Sequence, residues 1–213
     1  MERTRKWAVL FDLDGVVLDT EKAYDVFWEE EGKRYRPDVP SLHRKIKGFT
    51  LQRIIAEFFG NDPQKEQGIL QRLDTLESCM EYPYIPGALD FIKDLKRRRI
   101  PMALVTSSNE KKMGYVYRVH PELAGYFQVK ITADKITRSK PDPECYLLGA
   151  EELGVEPEFC FVFEDSFAGL EAGKRAGMKV IGVATTNPQE EIEKRTDRVI
   201  SDFVGFDYEK MMK

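Results

Sequence analysis

The chain has 213 residues, of which 42% are hydrophobic and 33% are charged. These proportions are typical of a globular protein and exclude a disordered chain. The net charge is −4 and both signs are interspersed, which excludes the broad positive surface that binds a nucleic-acid backbone. The length suits one core domain that carries a smaller inserted one.

The sequence contains no apolar run long enough to span a bilayer, and its first apolar run is too short for a signal peptide. Three cysteines, Cys79, Cys145 and Cys160, lie far apart and are interpreted as small buried hydrophobic residues. We therefore predict a cytoplasmic protein without a membrane or nucleic-acid partner. We expect a monomer or a weak dimer.

The first predicted strand covers residues 7–13, and two aspartates, Asp12 and Asp14, lie where it ends. The following segment, residues 19–86, shows helical patterns and no convincing strand. This segment therefore predicts a helical insert after the first strand. Its helices are expected at residues 23–31, 51–59 and 65–79.

From residue 87 onward, short β-branched runs alternate with helical patterns, as in parallel strands joined by crossover helices. The strands are expected at residues 102–106, 129–132, 159–164, 179–183 and 198–200. The helices are expected at residues 88–99, 109–119, 143–153, 167–176 and 188–194. The predicted fold is α/β, a doubly wound parallel sheet formed by residues 1–18 and 87–213, with the helical insert at 19–86.

Polar residues follow four of the predicted strands, at the sheet edge where such folds bind ligands. They are Asp12 with Asp14, Thr106 with Ser107 and Ser108, Lys140, and Glu164 with Asp165. Carboxylates gathered there repel one another and are costly to desolvate unless a cation neutralises them. Oxygen ligands suit Mg²⁺, and Lys140 would balance the remaining negative charge.

Two predicted helix starts at this edge favour an anionic substrate. The spacing from Ser107 to Glu110 is that of a capping box, which places a helix N-terminus just after Thr106. Asp142 and Pro143 indicate a second helix start beside Lys140. Free backbone N–H groups at such ends bind phosphate, although the same patterns also occur at ordinary helix starts.

Together these segments resemble the four motifs of the haloacid dehalogenase superfamily. The first motif is FDLDGVVLDTE at residues 11–21 and the second is TSSN at residues 106–109. The third is KPDP at residues 140–143. The fourth is FEDS at residues 163–166, followed by Gly169, Ala172 and Gly177. All four occur in the right order, and the chain is identified as a member of this superfamily.

The resemblance implies a role for each motif residue. Asp12 would be the nucleophile that takes the phosphoryl group, and Asp14 would protonate the leaving oxygen and then activate water. Thr106 and Lys140 would bind the phosphate. Asp12, Asp165 and the backbone carbonyl of Asp14 would bind Mg²⁺.

Glu164 would support the metal site or orient Lys140. The helical insert resembles the cap that closes over the site in phosphatases and β-phosphoglucomutase-like members. Lys47 and Gly48 resemble the substrate-contact loop of that cap. The other motif residues expected to contact the substrate are Thr20, Ser107, Ser108 and Asn109.

We therefore predict a Mg²⁺-dependent phosphatase of small phosphorylated metabolites, with sugar phosphates as the leading class. The alternative is a sugar phosphomutase. By the resemblance, such mutases carry a histidine and an arginine where this chain has Tyr24 and Leu51, and Arg53 lies two residues past the arginine position. These differences favour hydrolysis. A phospho-accepting signalling module is less favoured, since it would lack a large cap. A catalytically inactive binding protein is less favoured because the motifs are intact.

Overall fold

The computed structural model describes residues 7–60, 62–196 and 198–213. Within these residues, six parallel strands form one sheet of order β3-β2-β1-β4-β5-β6. In chain order the strands are β1 (Ala8–Phe11), β2 (Met102–Val105), β3 (Val129–Ile131), β4 (Cys160–Glu164), β5 (Lys179–Val183) and β6 (Arg198–Ile200). All their carboxyl ends lie at the same edge, and the predicted α/β fold is confirmed.

The sheet is buried on both faces because successive side chains of a strand point to opposite sides. In β1, Val9 and Phe11 pack into one apolar cluster and Ala8 and Leu10 into the other. The first cluster includes residues of α5 (Ala88–Arg97), α6 (Glu110–Val119) and α10 (Tyr208–Met212). The second includes residues of α7 (Glu144–Leu153), α8 (Phe167–Arg175) and α9 (Gln189–Glu193). The sheet is thus wound on both sides, as expected.

The helical insert has an apolar core of its own. Its elements are α1 (Glu21–Tyr35), α2 (Leu42–Lys45), α3 (Leu51–Ile54), a π-helical turn (Ile55–Phe59) and α4 (Pro63–Cys79). Its buried cluster consists of Trp28, Leu42, Ile46, Ile54, Ile55, Phe59, Ile69 and Leu73. The two connections to the sheet domain run side by side, since Leu18 and Tyr84 form an antiparallel bridge. We call this insert the cap; its predicted boundaries, 19 and 86, stay a prediction.

Several elements differ from the prediction. The helix expected at residues 51–59 is α-helical only as far as Ile54, and α2 and α10 were not predicted because helices of four or five residues show no periodicity. Cys145 and Cys160 are buried as expected, but the prediction for Cys79 is wrong because it is exposed at the end of α4. Among the described residues, no helix combines the length and apolar character needed to cross a membrane.

Candidate active site

Asp12 and Lys140 form a buried ion pair at the centre of the sheet edge. Asp12 directly follows β1, which lies between β2 and β4. Lys140 Nζ donates to Asp12 Oδ1 at 2.6 Å and to Glu164 Oε1 at 2.5 Å, and the lysine is only 1% exposed. Burial disfavours the charge of Lys140, but Asp12 and Glu164 outweigh burial and raise its pKa. The lysine is therefore held as a cation beside the expected nucleophile.

Three buried carboxylates, those of Asp12, Glu164 and Asp165, lie close together. One oxygen of each lies within 4.8 Å of the others. Burial raises the pKa of Asp12 to about 8, with Lys140 opposing the rise. Burial and then the charge of Glu21 raise the pKa of Asp165. These shifts mean that the group carries more negative charge than one lysine stabilises, so its donor set fits a hard divalent cation.

Glu164 anchors the surrounding groups. Its Oε1 accepts hydrogen bonds from Lys140 and from the Tyr146 hydroxyl at 2.7 Å. Its Oε2 accepts from the backbone N–H groups of Asp165 and Ser166, and from the Ser166 hydroxyl at 3.0 Å. With both oxygens occupied in this way, Glu164 fixes the position of Lys140 and of the loop that carries Asp165.

Asp14 points to a different set of partners. Both of its oxygens accept from Lys112 Nζ at 2.6 Å, and Ser108 Oγ donates to it at 3.0 Å. Thr20 Oγ1 also donates to it. Burial acts to raise the Asp14 pKa, but Lys112, Thr20 and Ser108 outweigh burial and lower it. In this arrangement Asp14 is an ionised carboxylate.

The prediction missed Lys112. It lies in α6 with its side chain only 5% exposed. A lysine in the first turn of a helix is placed against the helix dipole, so it needs a compensating partner. That unfavourable position is the signal from which its role could have been inferred.

The start of α6 also differs from the predicted capping box. Asn109, not Ser107, caps the helix, since its Oδ1 accepts from the Lys112 N–H at 2.9 Å. Ser107 Oγ donates instead to the Gly48 carbonyl of the cap at 2.7 Å. The capping-box prediction is wrong because α6 begins at Glu110, so Asn109 and not Ser107 occupies the N-cap position. Thr106 is buried, and its Oγ1 accepts from the Ser108 N–H.

Two loops approach the loop that carries Asp165 and Ser166 closely, because each contains a glycine whose backbone lies in the left-handed region. Gly15 has a φ of +78°, and a Cβ there would lie 2.1 Å from Asp165 Oδ2. Gly48 has a φ of +82°, and a Cβ there would lie 2.6 Å from Ser166 Oγ. Any side chain at Gly48 would therefore push the cap loop away from the sheet edge.

The cap lies over this edge, and the two line a cavity that is partly open to solvent. Its predicted contact residue, Lys47, donates to Glu21 at 2.5 Å and to Asp25 at 2.6 Å. The predicted residues that line the cavity are Asp12, Asp14, Lys47, Gly48, Ser107, Ser108, Asn109 and Asp165. Thr20, Thr106, Lys140 and Glu164 are buried. All four hydrogen-bond to carboxylates or loops of the site.

A fifth loop reaches the site and was not predicted. Asn187 lies in the loop after β5 and donates from Nδ2 to the Asp165 carbonyl at 2.9 Å. The rule that ligand sites lie at the carboxyl ends of parallel strands applies equally to β5. Inspection of that loop in the sequence would therefore have found Asn187.

Residues 8–177 match the family model for haloacid dehalogenase-like hydrolases. The chain is 35% identical over 184 residues to a phosphorylated carbohydrates phosphatase of Thermotoga maritima, covering 82% of this chain and 83% of that protein. It is 33% identical over 180 residues to hexitol phosphatase A of Escherichia coli, covering 82% and 81%. A β-phosphoglucomutase structure from Clostridium difficile has a TM-score of 0.77 and covers 97% of this chain and 96% of its own, but at 24% identity it shows the fold alone.

Proposed function

We propose that this chain, which belongs to the haloacid dehalogenase-like hydrolase family, is a Mg²⁺-dependent phosphatase of small phosphorylated metabolites, with sugar phosphates as the leading class. The observation that carries the proposal is the buried group of Asp12, Glu164 and Asp165 with Lys140 inside it, under a covered cavity. The similarity to phosphatases of phosphorylated carbohydrates and hexitols supports the substrate class.

In the first step, an oxygen of Asp12 attacks phosphorus and the bond from phosphorus to the leaving oxygen breaks. Lys140 offsets negative charge on Asp12 and on the transferring group. The incoming phosphate is a like charge that raises the pKa of Asp14, so Asp14 takes up a proton from solvent as the substrate binds and then gives this proton to the leaving oxygen. The product alcohol leaves, and a phosphorylated aspartate remains.

In the second step, Asp14 accepts a proton from water while that water attacks phosphorus, and inorganic phosphate is released from Asp12. We assign Asp12, Asp165 and the Asp14 carbonyl as the protein ligands of Mg²⁺, and Glu164 as the group that orients Lys140. Bound Mg²⁺ supplies charge neutralisation for the phosphate oxygens. Thr106 and the start of α6 would contact the phosphate.

The cap residues favour water over a second sugar hydroxyl as the phosphate acceptor. Tyr24 donates its hydroxyl to Glu77 at 3.0 Å, and burial raises its pKa well above 10, so it is a poor base. Arg53 donates to the Lys140 carbonyl at 2.6 Å and to Glu57, and its guanidinium stacks on a phenylalanine ring. Arg53 is therefore occupied and does not replace the arginine expected of a mutase.

The test is phosphate release from p-nitrophenyl phosphate and a panel of sugar and polyol phosphates, with Mg²⁺ or with EDTA. We expect Mg²⁺-dependent release of inorganic phosphate. No release from any compound would contradict the proposed activity, and full activity in EDTA would contradict the metal site.

Phosphorus NMR of β-glucose 1-phosphate with catalytic glucose 1,6-bisphosphate separates hydrolysis from transfer. Inorganic phosphate should accumulate without isomerisation. Formation of glucose 6-phosphate ahead of inorganic phosphate would instead identify a mutase.

A further inference from the structure

The wall that the cap contributes to the cavity is acidic. Among the described residues, this wall contains three carboxylates, those of Glu21, Asp25 and Glu77, and one ammonium, that of Lys47. Asp12, Asp14 and Asp165 line the opposite side, where the metal and the phosphate would bind. Burial raises the pKa of Glu21 and of Glu77, with Lys47 opposing the rise at Glu21 and Lys112 opposing it at Glu77. With these carboxyls ionised, the half of the cavity that must hold the remainder of a substrate is negative.

Lys47 does not provide a free positive charge for that remainder. Its ammonium contacts Glu21 at 2.5 Å and Asp25 at 2.6 Å, and its side chain is only 8% exposed. Two carboxylates around one ammonium leave a net negative group. A second phosphate or a carboxylate on the substrate would have to displace one of them to reach the lysine.

Glu77 supplies the third carboxylate from α4. It is buried and accepts from the Tyr24 hydroxyl at 3.0 Å, and this pair lies beside Lys112, whose ammonium is 4.4 Å from the Tyr24 ring centre. Lys112 is itself bound to both oxygens of Asp14. The cations that line the cavity among the described residues, Lys47 and Lys112, are thus both paired with carboxylates.

Apolar side chains and one histidine form the remaining wall. Trp28, Phe49 and Leu73 line it, together with His43, whose buried Nδ1 has no hydrogen-bond partner among the described residues. Carboxylates, an unpaired ring nitrogen and apolar side chains suit a molecule that carries hydroxyl donors on an apolar carbon frame.

On the basis of the proposed phosphatase activity, we propose that Glu21, Asp25 and Glu77 restrict the enzyme to monophosphates whose remainder is an uncharged, hydroxyl-bearing carbon chain or ring. A second anionic group on the substrate is rejected by like-charge repulsion from these carboxylates. Bisphosphates and phosphorylated sugar acids are the excluded classes.

The test compares three compounds of similar size that differ in the charge of the remainder: glucose 6-phosphate, 6-phosphogluconate and glucosamine 6-phosphate. Each is measured as a substrate by phosphate release and as a competitive inhibitor of p-nitrophenyl phosphate turnover, so the comparison does not require that any of them is turned over. We expect 6-phosphogluconate to have a kcat/KM or an affinity lower than that of glucose 6-phosphate by about tenfold or more. Glucosamine 6-phosphate should match or exceed glucose 6-phosphate.

Two isosteric variants test the cause of this discrimination. Asp25→Asn leaves Lys47 with one carboxylate, and Glu77→Gln keeps an acceptor for the Tyr24 hydroxyl, so each removes charge with little change of shape. In each variant, kcat/KM or affinity for glucose 6-phosphate divided by that for 6-phosphogluconate should fall by about threefold or more. Glu66→Gln removes the same charge from an exposed position of α4 and should leave the ratio unchanged.

Equal affinity of the wild-type enzyme for glucose 6-phosphate and 6-phosphogluconate would overturn the inference. So would an unchanged ratio in both Asp25→Asn and Glu77→Gln. Either result can occur with full p-nitrophenyl phosphate turnover, in which case the phosphatase activity stands. Absence of that turnover would instead remove the proposed function itself.

Discussion

The sheet edge and the cap line one cavity, but different forces hold their side chains in place. At the sheet edge, Asp12 and Asp165 follow strands whose backbones are paired on both sides. In the cap, Tyr24 and Glu77 lie on helices that pack through an apolar cluster with no strand. The carboxylates at the sheet edge therefore depend on strand pairing for their positions. The cap side chains that line the cavity depend instead on helix packing.

Replacement of the nucleophile should have the largest effect. Asp12→Asn keeps the shape of the side chain but cannot attack phosphorus, so kcat should fall by about 10⁴-fold or more. Phosphate release measures the loss, and circular dichroism checks the fold. Asp90→Asn, an exposed change at the start of α5, should retain wild-type activity. Substantial turnover by Asp12→Asn would exclude the covalent mechanism.

Replacement of the buried lysine at the sheet edge tests how strongly that region depends on charge balance. Lys140→Met leaves Asp12 and Glu164 buried without their cation, which should lower the free energy of unfolding by about 3–5 kcal/mol. Urea denaturation without metal measures this change. Lys194→Met breaks an exposed pair with Glu191 and should cost less than about 1 kcal/mol. Similar losses of unfolding free energy in both variants would contradict the role of Lys140 as the cation that balances Asp12 and Glu164.

Lys112 tests the contact between the two regions, because it bonds Asp14 and lies against the ring of Tyr24. Lys112→Met should lower kcat by about 10–100-fold, since the acid–base residue loses its orientation. Lys112 lowers the Asp14 pKa, so its removal raises that pKa and should move the acidic limb of the pH–rate profile to higher pH. The adjacent Lys111→Met removes an exposed lysine and should leave this limb in place. If the acidic limb of the pH–rate profile does not move in Lys112→Met, the role of Lys112 in holding Asp14 would be refuted.

The smallest expected effect is a change in thermal stability with pH and with Mg²⁺. In the folded protein burial raises the pKa of Asp12 to about 8 from an ordinary value of 3.8, so the folded state binds more protons than the unfolded state between these values. The metal-free protein should therefore lose stability as the pH rises through this window. Mg²⁺ competes with the proton, so it should raise Tm more at about pH 8 than at about pH 5.

Thermal melts with and without Mg²⁺ measure this difference. Asp12→Asn removes the titrating carboxyl and should flatten the pH dependence of the metal-free protein. A Mg²⁺-induced rise in Tm that is equal at both pH values, or larger at the lower one, would show that the carboxylates do not bind the cation as proposed.

Much of the fold was predictable from the sequence because its signals are local. The alternation of strands and helices after residue 87 predicted a parallel sheet, and the polar residues predicted to follow four strands lie together at one edge of it. Short helices such as α2 were missed, since four residues carry no period. The N-cap of α6 was placed two residues too early, since serine and asparagine both suit that position and only the structure shows that Asn109 Oδ1 accepts from the Lys112 N–H.

The sequence by itself predicted which polar groups gather at the sheet edge, since all of them but Lys140 lie within a few residues of a strand end and parallel pairing brings those ends together. Only the tertiary structure decided which charges are paired. Lys47 and Glu21 are 26 positions apart in the chain, and Lys112 and Asp14 are 98 apart. Tertiary packing alone makes these groups neighbours, so the charge that a substrate meets under the cap depends on contacts that no local pattern encodes.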